Sequence, residues 1–155
     1  MQRHEKERDV KLCNVAGFRV GIVASRFNRE VTNALLREAS KELAARGVKG
    51  ANITLLRVNG SVEIPLALQL LAKKKRYHAL VALGAIIKGE TPHFEYVSKI
   101  VSEGILRVTL DYGMPVGFGI LTTFNEFQAK KRVHVGADAV RAALELACHK
   151  KTVGR

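Results

Sequence analysis

Four apolar runs punctuate the chain, and helical periodicity fills the intervals between them. The runs are FRVGIVA (18–24), NITLLRV (52–58), HALVALGAII (78–87) and PVGFGIL (115–121). They scarcely alternate with polar residues, which is the pattern of strands buried on both faces of a parallel sheet. After the first run, Val31, Leu35, Ala39 and Leu43 recur at helical spacing and predict a helix over 29–46 that Gly47 stops. A second helix is predicted from about Ser61, carrying Leu66, Leu70 and Leu71. The third opens at His93, with Val97, Ile100, Val101, Gly104 and Val108 as its inner stripe and Gly113 as its end. Asn125 is placed to cap the last helical stretch, which Gly136 is expected to kink or divide before 137–149. Strands alternating with helices imply an α/β fold, a three-layer αβα sandwich around a four-stranded parallel sheet.

The start, MQRHEKERDVK, is nearly devoid of core formers, so residues 1–17 read as a flexible basic N-terminal arm. Residues 18–150 read as a single α/β domain and 151–155 as a C-terminal tail, with no linker or internal repeat. A sheet of four strands leaves two edges to cover, and oligomerisation would cover them.

At 155 residues and 47% hydrophobic, the chain can bury a core of ordinary size. No apolar run approaches the roughly 20 residues that span a bilayer. The charged start lacks a signal peptide's apolar region, so a cytoplasmic location is expected. Cys13 and Cys148 are too few and too far apart for a disulfide framework or a metal set, and are expected to be ordinary small side chains. A net charge of +12 raises nucleic acid as a partner. The charge falls in short runs (Lys73–Arg76, Lys130–Arg132, Lys150–Lys151) at helix ends, without interleaved aromatic platforms. Solvated surface is therefore the expectation, and nucleic acid is not.

Chemistry concentrates where strands give way to helices. The stretch GAIIKGETPHFEYV (84–97) leaves a buried strand through a glycine turn and places His93 in the first turn of a helix. Thr91 can cap that helix and Pro92 suits its first position. Free N–H groups and the helix dipole favour a phosphate or carboxylate there, and favour neutral imidazole, which suits a base. Three further turns converge on the same rim: Ser25-Arg26-Phe27-Asn28, Asn59-Gly60-Ser61-Val62-Glu63, and Thr122-Thr123-Phe124-Asn125 leading to Gln128 and Arg132. A lone Phe27 could be a core anchor, Ser61 and Glu63 could simply start a helix, and Arg132 could be solvated. The chain has no P-loop, GxGxxG, HExxH or GxSxG motif.

Together these turns resemble the 6,7-dimethyl-8-ribityllumazine synthases of riboflavin biosynthesis. The likeness is carried in family order by GIVASRFN (21–28), VNGSVEIP (58–65), GAIIKGETPHFEYV (84–97), PVGFGILTTFNEFQA (115–129) and GADAVRAALELA (136–147). It implies a flavodoxin-like fold and a transferase that needs no cofactor or metal. The implied reaction condenses 5-amino-6-(D-ribitylamino)uracil with 3,4-dihydroxy-2-butanone 4-phosphate, releasing phosphate and water. On the matching positions, His93 would move protons. Phe27 would stack on the pyrimidine, while Ser61, Val62 and Glu63 hold the ribityl chain. Ala85, Ile86 and Ile87 would line the pyrimidine pocket, and Phe118 would reach in from an adjacent subunit. Gly89, Glu90, Thr91 and Arg132 would hold the phosphate. The likeness also implies a homo-oligomer of pentamers, decamers or 60-mers with sites between subunits, and riboflavin synthase as a candidate partner. Three departures stand out: Asn59 where the family has proline, Val62 where it has a bulkier residue, and only Val133-His134-Val135 where it has a longer lysine-containing kink. Two alternatives remain: a paralogous riboflavin synthase of archaeal type, and a weakly catalytic shell or scaffold protein that binds nucleic acid or acidic cargo.

Overall fold

The continuous apolar runs sit where a strand is covered twice. The computed structural model describes residues 11–154, so the first ten residues of the expected arm lie outside them. In chain order the elements are β1 (Val20–Ser25), α1 (Arg29–Ala45), β2 (Ile53–Val58), α2 (Ile64–Lys73), β3 (Ala79–Ile87), α3 (His93–Tyr112), β4 (Val116–Thr123), α4 (Glu126–Lys130) and α5 (Val135–Val153). All strands are parallel in the order β2-β1-β3-β4. The direction of winding therefore reverses between β1 and β3, the position at which open α/β sheets form a crevice. β1 is buried throughout and β3 up to its last residue, whereas β2 at the edge is only half covered.

Successive residues of one strand feed two different cores, because side chains alternate across a sheet. Ile22, Val81 and Leu83 join Leu35 and Leu43 of α1 and Val140 and Leu144 of α5. Val23, Leu80 and Ala82 join Ile64 and Leu68 of α2 and Val101 and Ile105 of α3. The inner stripe expected on α3 needs correction at Ile100, which faces outward while Ile105 packs inward; on α2, Leu66 and Leu70 face outward and Ala67, Leu68 and Leu71 pack inward. These helices are apolar on more than one side, so periodicity alone does not say which side meets the sheet.

Gly136 does not break a helix. The interruption falls on residues 131–134, between α4 and α5. Gly136 lies inside α5, where an added Cβ would stand 2.2 Å from the Leu35 carbonyl oxygen. At Gly117 a Cβ would stand 2.1 Å from the Ala139 carbonyl oxygen. These two glycines let α5 lie directly on α1 and on β4.

Cys13 and Cys148 are not free small side chains; they form a disulfide. Leu12 and Cys13 pack against the core and Val15 is buried in it, which brings the two cysteine Cα atoms to 5.8 Å. That lies within bridging range. Packing therefore begins before residue 17, where the arm was expected to end, and α5 runs on through the expected tail to Val153. Among the described residues no helix is long and apolar enough to cross a membrane.

Candidate active site

β3 outruns its neighbour. Its pairing with β1 ends at Leu83, opposite Ala24, while its pairing with β4 continues to Ile87, opposite Thr123. Residues 84–87 thus have a strand on one side only, and their other edge opens onto the crevice beyond β1. Asn28 spans part of that gap, its Nδ2 donating to the Ala85 carbonyl at 2.8 Å. The Asn28 backbone is left-handed, with φ 57° and ψ 51°, a conformation asparagine tolerates better than most residues. The turn so made holds the Phe27 ring in the open, 71% exposed.

At the second turn Ser61 and Glu63 do start a helix. Gly60, not Ser61, stands ahead of the short helical turn Ser61–Glu63, and its N–H donates to Glu63 Oε2 at 2.9 Å. Ser61 is buried against Gly84, where a Cβ would come within 2.6 Å of its Oγ. The Ser25 hydroxyl lies beside the same glycine, buried and without a hydrogen-bond partner among the described residues. At the third turn α3 opens at His93, as the sequence predicts, with Pro92 as the residue before the helix rather than its first position. The His93 N–H donates to Thr91 Oγ1 at 3.4 Å.

One cavity of about 280 Å³ gathers Phe27, Ser61, Val62, Glu63, Ala85, Ile86, Ile87, Gly89, Thr91 and His93. Asn28, Gly60, Phe94 and Val97 line it as well and were not among the candidates. Asn28 had a signal in the sequence, an asparagine directly before a helix start. Phe94 and Val97 follow from helical spacing after His93. Three candidates stand outside the lining: Glu90, Phe118 and Arg132. Phe118 lies on β4 opposite Ala82 and is 45% exposed. Arg132 Nη1 donates to the Gln128 carbonyl at 2.9 Å. In the shortened segment, His134 lies 3.9 Å from Asp138 in the first turn of α5. Near the rim, the Lys88 ammonium stands 5.5 Å from the centre of the Phe124 ring.

An exposed imidazole, the free N–H groups of a helix start and strand backbone facing the crevice suit a planar polar ligand beside an anion. The sequence profile of the 6,7-dimethyl-8-ribityllumazine synthases matches residues 17–151. The chain is 50% identical over 132 residues to the 6,7-dimethyl-8-ribityllumazine synthase of Paraburkholderia phymatum, covering 84% of this chain and 77% of that protein. It is 48% identical over 131 residues to the synthase of that name from Polaromonas sp. strain JS666, covering 84% and 85%. The chain belongs to the 6,7-dimethyl-8-ribityllumazine synthase family. As a lumazine synthase it is a transferase of riboflavin biosynthesis that condenses the ribitylaminouracil with the butanone phosphate. Neither the riboflavin synthase alternative nor the scaffold alternative gains support from these relatives. The lumazine synthase match spans the shortened 133–135 segment, so that departure sits inside the family rather than outside it.

Proposed function

We propose that the crevice cavity is where the two substrates of lumazine synthesis meet. The observation that carries this reading is the convergence of Phe27, the overhanging end of β3 and the start of α3 on one 280 Å³ space. Phe27 stacks on the pyrimidine, whose polar edge is read by the backbone of Ala85, Ile86 and Ile87. Ser61, Val62 and Glu63 hold the ribityl chain, Glu63 through its carboxylate. The turn of Gly89, Glu90 and Thr91 seats the phosphate at the α3 N-terminus, where the helix dipole favours it. Arg132 adds counter-charge by exchanging its bond to the Gln128 carbonyl for the phosphate. His93 relays protons as the amine and carbonyl form an imine, phosphate leaves and the second ring closes. Holding two reactants together supplies much of the remaining rate, so the site needs no strong nucleophile.

A cavity of this size is small for two substrates, which supports a site completed between subunits by Phe118 from a neighbouring copy. The outward Leu66, Leu70 and Ile100 support a homo-oligomer, which we infer to be pentamer-based, with riboflavin synthase as a candidate partner. The domain proper is taken to run from the packed Val15 to the end of α5. We place the enzyme in the cytoplasm. Disulfides are rare there, so a thiol count on freshly lysed cells tests that placement and the Cys13–Cys148 bond together.

Absorbance-monitored turnover with both substrates tests the function. The wild-type protein should form lumazine, and His93→Ala should lower kcat about 100-fold without abolishing it. Arg132→Ala should raise KM for the butanone phosphate and leave that for the uracil nearly unchanged. Folded wild-type protein that forms no lumazine would sink the reading.

A further inference from the structure

The opposite end of the sheet carries a second and larger cavity, of about 630 Å³, that the condensation does not use. Its walls come from three distant stretches: Phe18 near the N-terminus, Tyr77 and His78 before β3, and Lys150 and Lys151 in the last turns of α5. We propose that this basal cavity is a second ligand site, which takes a phosphate group against Lys151 and His78.

Among the described residues no acidic side chain lines the cavity. Helix carboxyl ends meet at this rim and bring partial negative charge, but that charge is already answered. The Lys150 ammonium donates to the Gly113 carbonyl at the end of α3 at 2.7 Å. Lys151 and Arg19 take part in none of the ion pairs among the described residues. The Lys151 ammonium stands 5.9 Å from the centre of the Phe18 ring. Phe18 stacks on His78 with ring centres 4.7 Å apart and planes 5° from parallel, which fixes the imidazole. The Arg19 N–H donates to His78 Nδ1 at 2.9 Å. The neutral ring therefore carries its proton on Nε2, a donor left over for a ligand. Burial, with the positive charges of Arg19 and Lys151 behind it, holds the His78 imidazole below its ordinary value. A bound dianion would relieve that uncompensated potential. The disulfide ties residue 13 to residue 148, joining the N-terminal wall to the α5 wall. The cavity is thus preformed, and a ligand is spared the cost of ordering it.

Equilibrium dialysis of the full chain against radiolabelled inorganic phosphate, at constant ionic strength set with chloride, tests the site. Lys151→Glu should weaken one phosphate site per chain at least tenfold and Lys151→Gln about threefold. Both variants should retain lumazine formation, and Arg132→Ala should leave this site filled. Displacement of the phosphate by AMP would assign the site to a nucleotide phosphate, and no displacement to free phosphate; both results uphold it. Equal phosphate binding by the wild type and both Lys151 variants would overturn it.

Discussion

Helices α1 and α5 cover one face of the sheet and α2 and α3 the other, but the two layers end differently at the solvent. Along α1 the exposed side chains are Arg29, Glu30, Arg37, Ser40, Lys41, Ala44 and Ala45, charged or small throughout, and Glu42 ties the layer together, 2.8 Å from Arg46 and 3.2 Å from Arg141 of α5. On the other face Leu66, Leu70, Tyr96, Ile100 and Leu110 stand in water, each more than half exposed. The first layer is mostly complete within a single chain, and the second carries the exposed apolar surface expected of an interface. The crevice cavity draws Val62, Phe94 and Val97 from the unfinished side. On the proposed reading chemistry and assembly share a layer, and stability is held mostly by the other.

The comparison can be broken most severely on the finished side. Cys148→Ser removes a link closing a loop of 135 residues, and should cost about 2–5 kcal/mol in urea unfolding. The same loss should follow when the wild type is reduced, and identical midpoints for the two proteins would show that the bond is not formed. Next comes a matched pair of glycines. Gly136→Ala drives a methyl to 2.2 Å from the backbone of α1, whereas Gly104→Ala meets the Pro65 ring at 2.7 Å. Backbone in the middle of α1 has less room to shift than a ring at the start of α2, so about 3 kcal/mol is expected for the first and about 1 kcal/mol for the second. A larger loss at Gly104 would invert the assignment of the two layers.

Ile100→Glu should leave the stability of the separated chain within about 0.5 kcal/mol while sedimentation shows the assembly falling apart. Lys41→Glu, on the finished face, should change neither. The smallest effect concerns His78. Its folded value is lowered, so the unfolded chain takes up the proton more readily, and stability present above the unfolded value near 6.5 is lost as pH falls below it. His78→Gln should flatten that acid limb of the unfolding curve between about pH 6.5 and 5 without moving the neutral plateau.

The strands and the finished layer were legible in the sequence. The helix predicted over 29–46 is observed as Arg29–Ala45 with its four apolar positions buried, and Asn125 caps α4 by accepting from the Gln128 N–H. Burial on one side only writes a clear period. The α2 and α3 layer was harder to read because a helix facing both a sheet and a partner is apolar twice over, which is why Ile100 was assigned inward. The disulfide was unreadable for another reason: it depends on the chain ends meeting, and no local pattern encodes that. Of the site, the histidine turn, Phe27 and the Ser61–Glu63 turn were visible as motifs. Asn28 showed only as an asparagine before a helix start; its part in the site is played through a left-handed backbone and a bond to a residue 57 positions away.

The overhang of β3 beyond β1 has a bearing on how this site can change over time. On the proposed reading, recognition by the backbone of residues 84–87 depends on how far one strand extends past another, and only weakly on which side chains it carries. Point substitutions there can drift while the crevice persists. A deletion in the 25–28 turn or an added residue at the end of β1 would pair those groups into the sheet and erase the crevice in one event. The site is stored as a difference in length, and insertions and deletions are its natural enemies.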